Sequence, residues 1–181
     1  TGTSGMEAAV MNLVEPGDRV VAGICGYFGE RIAVMAERAG GVVTRVHAPW
    51  GSHTDLAAVE SAVRAAGNVK LIAIVHAETS TGALTPVEPF AKLAREHGAL
   101  LLVDCVTSLG GVPVTVDTWG ADAVYSGTQK CLSAPPGMAT LTMSPNAWDA
   151  IKAREVPCNS WYLDLRLLEA YWDERRAYHH T

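Results

Sequence analysis

The chain of 181 residues is 49% apolar and 18% charged, an ordinary globular balance with enough apolar content for a sizeable core. A net charge of -5 argues against a surface built for nucleic acid or anionic membrane, which needs clustered Lys and Arg, and no apolar run reaches the length of a membrane span. Cys25, Cys105, Cys131 and Cys158 are widely spaced without a CxxC pair, and the N-terminus lacks the basic and apolar regions of a signal peptide, so the expectation is reduced thiols in a cytoplasmic protein.

Taken in order, Thr1 to Gly5 is a small-residue loop leading into a helix over Met6 to Val14. Such a loop is either a plain N-cap, by Thr3 or Ser4, or a place where backbone N–H groups and the helix dipole meet an anion. Glu15 to Asp18 is a turn and Arg19 to Gly23 a strand. Gly26-Tyr27-Phe28-Gly29-Glu30-Arg31 follows at that strand's C-terminal end, where α/β sheets place their ligands. Phe28 there is either a core anchor or a flat surface for a flat cofactor. A helix over Ile32 to Ala39, closed by Gly40-Gly41, precedes a strand over Val42 to Val46. Trp50 to His53 is a loop, and Leu56 to Ala66 is an amphipathic helix capped by Thr54 or Asp55. Val69 to Val75 reads as a central parallel strand. It ends in His76-Ala77-Glu78-Thr79-Ser80-Thr81-Gly82, either a hydroxyl-rich turn or a polar edge for a cofactor. A helix over Val87 to His97 follows Pro86.

Leu100-Leu101-Leu102-Val103-Asp104 is a buried strand ending in a carboxylate, and Asp122 to Ser126 is another short strand, followed by Gly127-Thr128-Gln129-Lys130. Read singly, Asp104 is a cap or turn residue and Lys130 a solvated charge. Read together, a lysine just past one strand and a carboxylate at the end of another are what pyridoxal 5'-phosphate (PLP) chemistry needs. The lysine forms a Schiff base with the cofactor, and the carboxylate keeps the pyridine nitrogen protonated. Met138 to Met143 fits a strand, Asn146 to Arg154 a helix started by Pro145, and Leu163 to Trp172 a last helix. Strands alternate with helices at short connections, giving one α/β domain with a mainly parallel sheet of about seven strands flanked by helices.

Three segments carry a resemblance: Val103-Asp104-Cys105-Val106-Thr107-Ser108-Leu109-Gly110-Gly111, Ser126-Gly127-Thr128-Gln129-Lys130 and Tyr178-His179-His180-Thr181. Together they resemble the class V aminotransferases, most of all the alanine–glyoxylate and serine–pyruvate group. The resemblance implies the large domain of PLP fold type I, with residues 1–181 a fragment lacking an N-terminal segment and a C-terminal small domain. It implies that Thr1, Gly2 and Thr3 hold the phosphate with Gln129 beside it. Phe28, standing where the family often has tryptophan, and Val106 would pack on opposite ring faces, and Thr79 would bond the ring's oxygen edge. Asp104 and Lys130 are the implied catalytic pair. Tyr178 and Thr181 would cross to a partner subunit's phosphate, implying a homodimer. The two adjacent histidines do not share a face and have no third ligand at metal spacing, so a metal is rejected.

The function expected is transamination between a small amino acid, alanine or serine, and a 2-oxo acid, glyoxylate or pyruvate. Alternatives are ureidoglycine–glyoxylate transamination, a lyase or cysteine desulfurase, or an inert truncated PLP-binding piece. None of the four cysteines is evidently placed as a desulfurase nucleophile. A dinucleotide-binding reading has no GxGxxG after a strand.

Overall fold

The computed structural model describes residues 1–172, so the expectations for Tyr178 and Thr181 lie outside the described residues. Among these, six strands form one sheet in the order β2-β1-β3-β4-β5-β6. The strands are β1 (Arg19–Ile24), β2 (Val42–His47), β3 (Val69–Val75), β4 (Leu100–Asp104), β5 (Ala123–Gly127) and β6 (Ala139–Met143). β1 to β5 pair in parallel and β6 closes one edge antiparallel to β5. The sheet is mainly parallel as expected, with one strand fewer than the about seven anticipated from the alternation of elements.

Burial explains the pattern of the strands. β3, β4 and β5 are covered on both faces, so their side chains are mostly apolar without alternation, whereas edge strands β2 and β6 mostly alternate exposed and half-buried positions. One face is packed by α1 (Gly2–Leu13), α2 (Tyr27–Arg38), α6 (Pro145–Lys152) and α7 (Leu165–Trp172). The other is packed by α3 (Leu56–Ala66), α4 (Glu88–Glu96) and the single turn α5 (Val116–Trp119).

Two helix starts differ from the sequence expectation, and both matter for the site. Thr1 to Gly5 is not a loop: α1 begins at Gly2, capped by Thr1, whose side chain accepts a hydrogen bond from Ser4 N while its carbonyl accepts from Gly5 N. The glycines are there for contact rather than for flexibility. A methyl group on Gly5 would lie 3.0 Å from the Ala139 Cβ and 3.3 Å from that of Tyr125, so Gly5 lets α1 lie flat on β5 and β6. Likewise α2 begins at Tyr27 rather than Ile32, which puts Phe28 in its first turn. At α3 the cap is Asp55, which accepts from Ala57 N.

β1 and β3 are neighbours, yet β2, which follows β1 in the chain, lies on β1's other side. The connections therefore diverge between β1 and β3, and the crevice at the C-terminal strand ends beside such a switch point is where open α/β sheets place ligands.

Candidate active site

Four strand ends and two helix starts, those of α1 and α2, converge at that edge. Asp104 ends β4, is 2% exposed, and stands opposite Tyr125 in the β4–β5 register. Its Oδ1 accepts from Val106 N at 2.8 Å and its Oδ2 from the Tyr125 hydroxyl at 2.6 Å. Burial lifts its carboxyl from 3.8 to about 6; the bonds from Tyr125 and Val106 oppose the rise, nearby Glu78 adds to it and Arg31 lowers it. The Tyr125 phenol, fully enclosed and facing that carboxylate, is pushed well above its ordinary range, so it stays a donor.

The start of α1 abuts the ends of β4 and β5. A methyl group on Gly2 would come within 2.8 Å of Val106 Cγ2, and one on Gly127 within 2.9 Å of Gly2 N and 3.0 Å of Gln129 Oε1. Only glycine at both positions lets helix start, strand end and Gln129 approach so closely. The Gly2 and Thr3 N–H groups precede the first intrahelical bond and have no acceptor among the described residues, leaving two donors at the positive end of the helix dipole. Thr3 Oγ1 accepts from Arg31 Nη1 at 3.1 Å, and the same guanidinium lies 4.8 Å from the centre of the Phe28 ring.

Lys130 is half-buried in the turn leaving β5. Its carbonyl accepts from Ser133 N at 2.9 Å, Thr128 Oγ1 donates to the Pro135 carbonyl at 2.7 Å, and the Cys131 thiol donates to the Thr107 carbonyl at 3.1 Å. Ser133, with φ of 55°, is the one non-glycine residue among those described in the left-handed region, a conformation that persists only where surrounding bonds impose it. The turn rests on Gly110 and Gly111, where a methyl group would meet Cys131 at 3.2 and 2.7 Å. Lys130 thus emerges from a turn tied to the loop that follows Asp104.

From β3, Thr79 bonds the Thr107 hydroxyl through Oγ1, joining the third strand end to the fourth. Thr1, Gly2, Thr3, Phe28, Thr79, Asp104, Val106, Gln129 and Lys130 all lie at these strand ends or at the start of α1. Phe28 and Val106 both pack on the core cluster beneath. Sequence reasoning assigned no role to Tyr125, Glu78 or Arg31. Tyr125 was hidden in an apolar run; its one signal is that it stands in register with a strand-end aspartate. Among the described residues no group of His, Cys, Asp and Glu is arranged to hold a metal ion, and no helix is long and apolar enough to cross a membrane.

The Aminotransferase class-V family model matches residues 1–157. Alanine–glyoxylate aminotransferase of Oryctolagus cuniculus is 41% identical over 184 residues, covering 100% of this chain and 47% of its own length. (S)-ureidoglycine–glyoxylate transaminase of Bacillus subtilis is 39% identical over 201 residues, with 100% and 47% covered. The crystal structure of alanine–glyoxylate aminotransferase from Nostoc sp. superposes with a TM-score of 0.95 at 48% identity, covering 100% of this chain and 48% of that one. The chain spans about half the length of the curated relatives it matches.

Proposed function

This chain belongs to the class-V aminotransferase family, and from that premise we propose that it forms the large, cofactor-holding domain of a PLP-dependent aminotransferase. The proposed reaction exchanges an amino group between a small amino acid, alanine or serine, and a 2-oxo acid. Glyoxylate is the favoured acceptor, because relatives named for two different amino donors share it in their names.

One observation carries the cofactor assignment. A carboxylate that is 2% exposed, with both oxygens already accepting hydrogen bonds, sits at a strand end one strand away from a turn bearing a lysine. A buried carboxyl lifted to about 6 gains most from a cationic partner, and a protonated pyridine nitrogen is such a partner. At the start of α1, the two N–H donors of Gly2 and Thr3, with Gln129 beside them, suit a phosphate. The donor set therefore fits PLP at both ends.

When bound, PLP supplies an electron sink for the bond broken at the substrate's Cα. The chain's own residues do the rest. Gly2 and Thr3 would hold the phosphate, with Thr1 keeping the helix start in place by its cap. Phe28 and Val106 would pack against the ring, and Thr79 would supply a hydroxyl to its polar edge. Asp104 would be the carboxylate partner of the pyridine nitrogen, and Tyr125 and the Val106 N–H keep that carboxylate oriented. Lys130 would supply through Nζ the amine that attaches the group and the general base for the substrate's Cα proton. Tyr178 and Thr181 are proposed to complete the phosphate site of a second subunit.

The test is the visible absorption of the intact protein with PLP, before and after alanine and then glyoxylate. The expected result is a visible band that alanine shifts and glyoxylate restores, absent in Lys130→Ala. Retained turnover in Lys130→Ala would overturn the assignment of that lysine, and no band in the native protein would overturn the cofactor.

A further inference from the structure

Helix α2 starts on a residue that cannot cap it. Gly26 has no side chain, and the N–H groups of the first turn must find acceptors elsewhere. Those of Tyr27, Phe28 and Gly29 come from the loop after β3, some fifty residues away. Tyr27 N donates to Ser80 Oγ at 3.0 Å, and Phe28 N and Gly29 N both donate to Glu78 Oε2, at 3.1 and 3.3 Å. Ser80 in turn donates its hydroxyl and its N–H to Glu78 Oε1, at 2.7 and 3.1 Å. Glu78 is 1% exposed, so one buried carboxylate terminates the whole arrangement. The space is made for it: a methyl group on Gly26 would lie 2.5 Å from Glu78 Cγ and 2.6 Å from Cδ.

We infer that Glu78 is a positioning residue that acts through Phe28: by pinning the first turn of α2 to the end of β3, it sets where the Phe28 ring stands in the cofactor crevice. This rests on the PLP reading above. A local cap, a serine or aspartate at position 26, would satisfy the same N–H groups but would tie the helix only to itself. A carboxylate from the loop after β3 ties it across the switch point, to the end of the strand beside the one that carries Asp104. Phe28, second residue of that turn, inherits the restraint, and Arg31, one turn further on, covers its ring and reaches Thr3. Stacking surface, phosphate-site threonine and β3 loop are thereby linked through one helical turn.

A purely stabilising cap and a positioning residue differ in whether the effect passes through Phe28. The experiment is a double-mutant cycle in the intact protein, with PLP dissociation constant and visible circular dichroism of bound PLP as readouts, beside melting of the PLP-free form. Glu78→Gln keeps the shape and loses an acceptor shared by two N–H groups. The expected loss of PLP affinity is about tenfold, the size of one charge-assisted hydrogen bond, with a weakened visible dichroic band. In a Phe28→Leu background, Glu78→Gln should change neither readout further. Equal losses in both backgrounds, or no loss in either, would overturn the inference. Should Glu78→Gln fail to fold, Ser80→Ala replaces it, with a smaller loss that again vanishes beside Phe28→Leu; persistence there would overturn the inference equally. A native protein that binds no PLP would overturn the cofactor reading and the inference together, an outcome distinct from an additive cycle.

Discussion

The first turn of α1 borders two regions of opposite make-up. On one side, at the C-terminal strand ends, it meets Val106, Gly127 and Gln129, among a carboxylate, hydroxyls and a lysine. On the other, Ser4, Gly5 and Ala8 form one wall of an open groove completed by Leu141 and Met143 of β6, Trp148 of α6 and Leu168 of α7. Among the described residues the groove is lined mainly by apolar side chains, whereas the carboxylate and the lysine stand at the strand ends. The proposed chemistry belongs to the strand ends, where backbone polarity, helix dipoles and the switch in chain direction gather polar groups, whereas the groove is the flank of a sheet edge covered by α6 and α7.

The sharpest way to break this contrast is Lys130→Ala. Turnover should fall by about 10³-fold or more while far-ultraviolet circular dichroism stays native, because the side chain is half-buried in a turn that backbone bonds hold. Native-like turnover would move the chemistry away from the strand ends.

Asp104→Asn comes next, with turnover reduced roughly 10²–10³-fold, the scale of removing one electrostatic stabiliser. It also has a signature without any cofactor. Burial raises the Asp104 carboxyl from 3.8 to about 6, so between those values the folded chain keeps a proton that the unfolded chain has released. The resulting stabilisation is full below about pH 3.8 and is lost as pH rises through about 6, an amount on the order of 3 kcal/mol. In Asp104→Asn the PLP-free protein should lose this decline in melting temperature across pH 4 to 7, with Tyr125 turning its hydroxyl to accept from the new amide. An unchanged pH profile would mean that the Asp104 carboxyl is not lifted in the folded chain.

Tyr125→Phe is expected to act more gently. It removes one of the two bonds that hold the Asp104 carboxylate, so PLP affinity should weaken by about tenfold and the Asp104 titration should move further up. An affinity and a titration like the native protein's would show that the Val106 N–H suffices. The smallest effect on the site belongs to the groove. Leu168→Ala should lower stability by roughly 1–2 kcal/mol through lost apolar contact, with PLP affinity unchanged. A change in PLP affinity there would dissolve the contrast between the two regions.

The chain's own residues determined the class of fold and put forward the main candidate site residues. The apolar runs at 69–75, interrupted only by Lys70, and at 100–103 read as strands buried on both faces, and a carboxylate at the end of such a run stands at the sheet's ligand edge. That much follows from local pattern, and so Asp104 and Lys130 stood out as candidates, while Phe28 was singled out by the resemblance. Tertiary structure alone decided the rest. Thr1 to Gly5 looked like a loop because its residues are poor helix formers, yet the glycines are helical, since packing of α1 against Ala139, Tyr125 and Val106 leaves no room for a side chain. Glu78 read as one polar residue in a turn, because its partners at Phe28 and Gly29 become neighbours only when β1 and β3 pair. Hydrophobic periodicity is written along the chain; which strand ends meet depends on sheet order, and no local pattern encodes that.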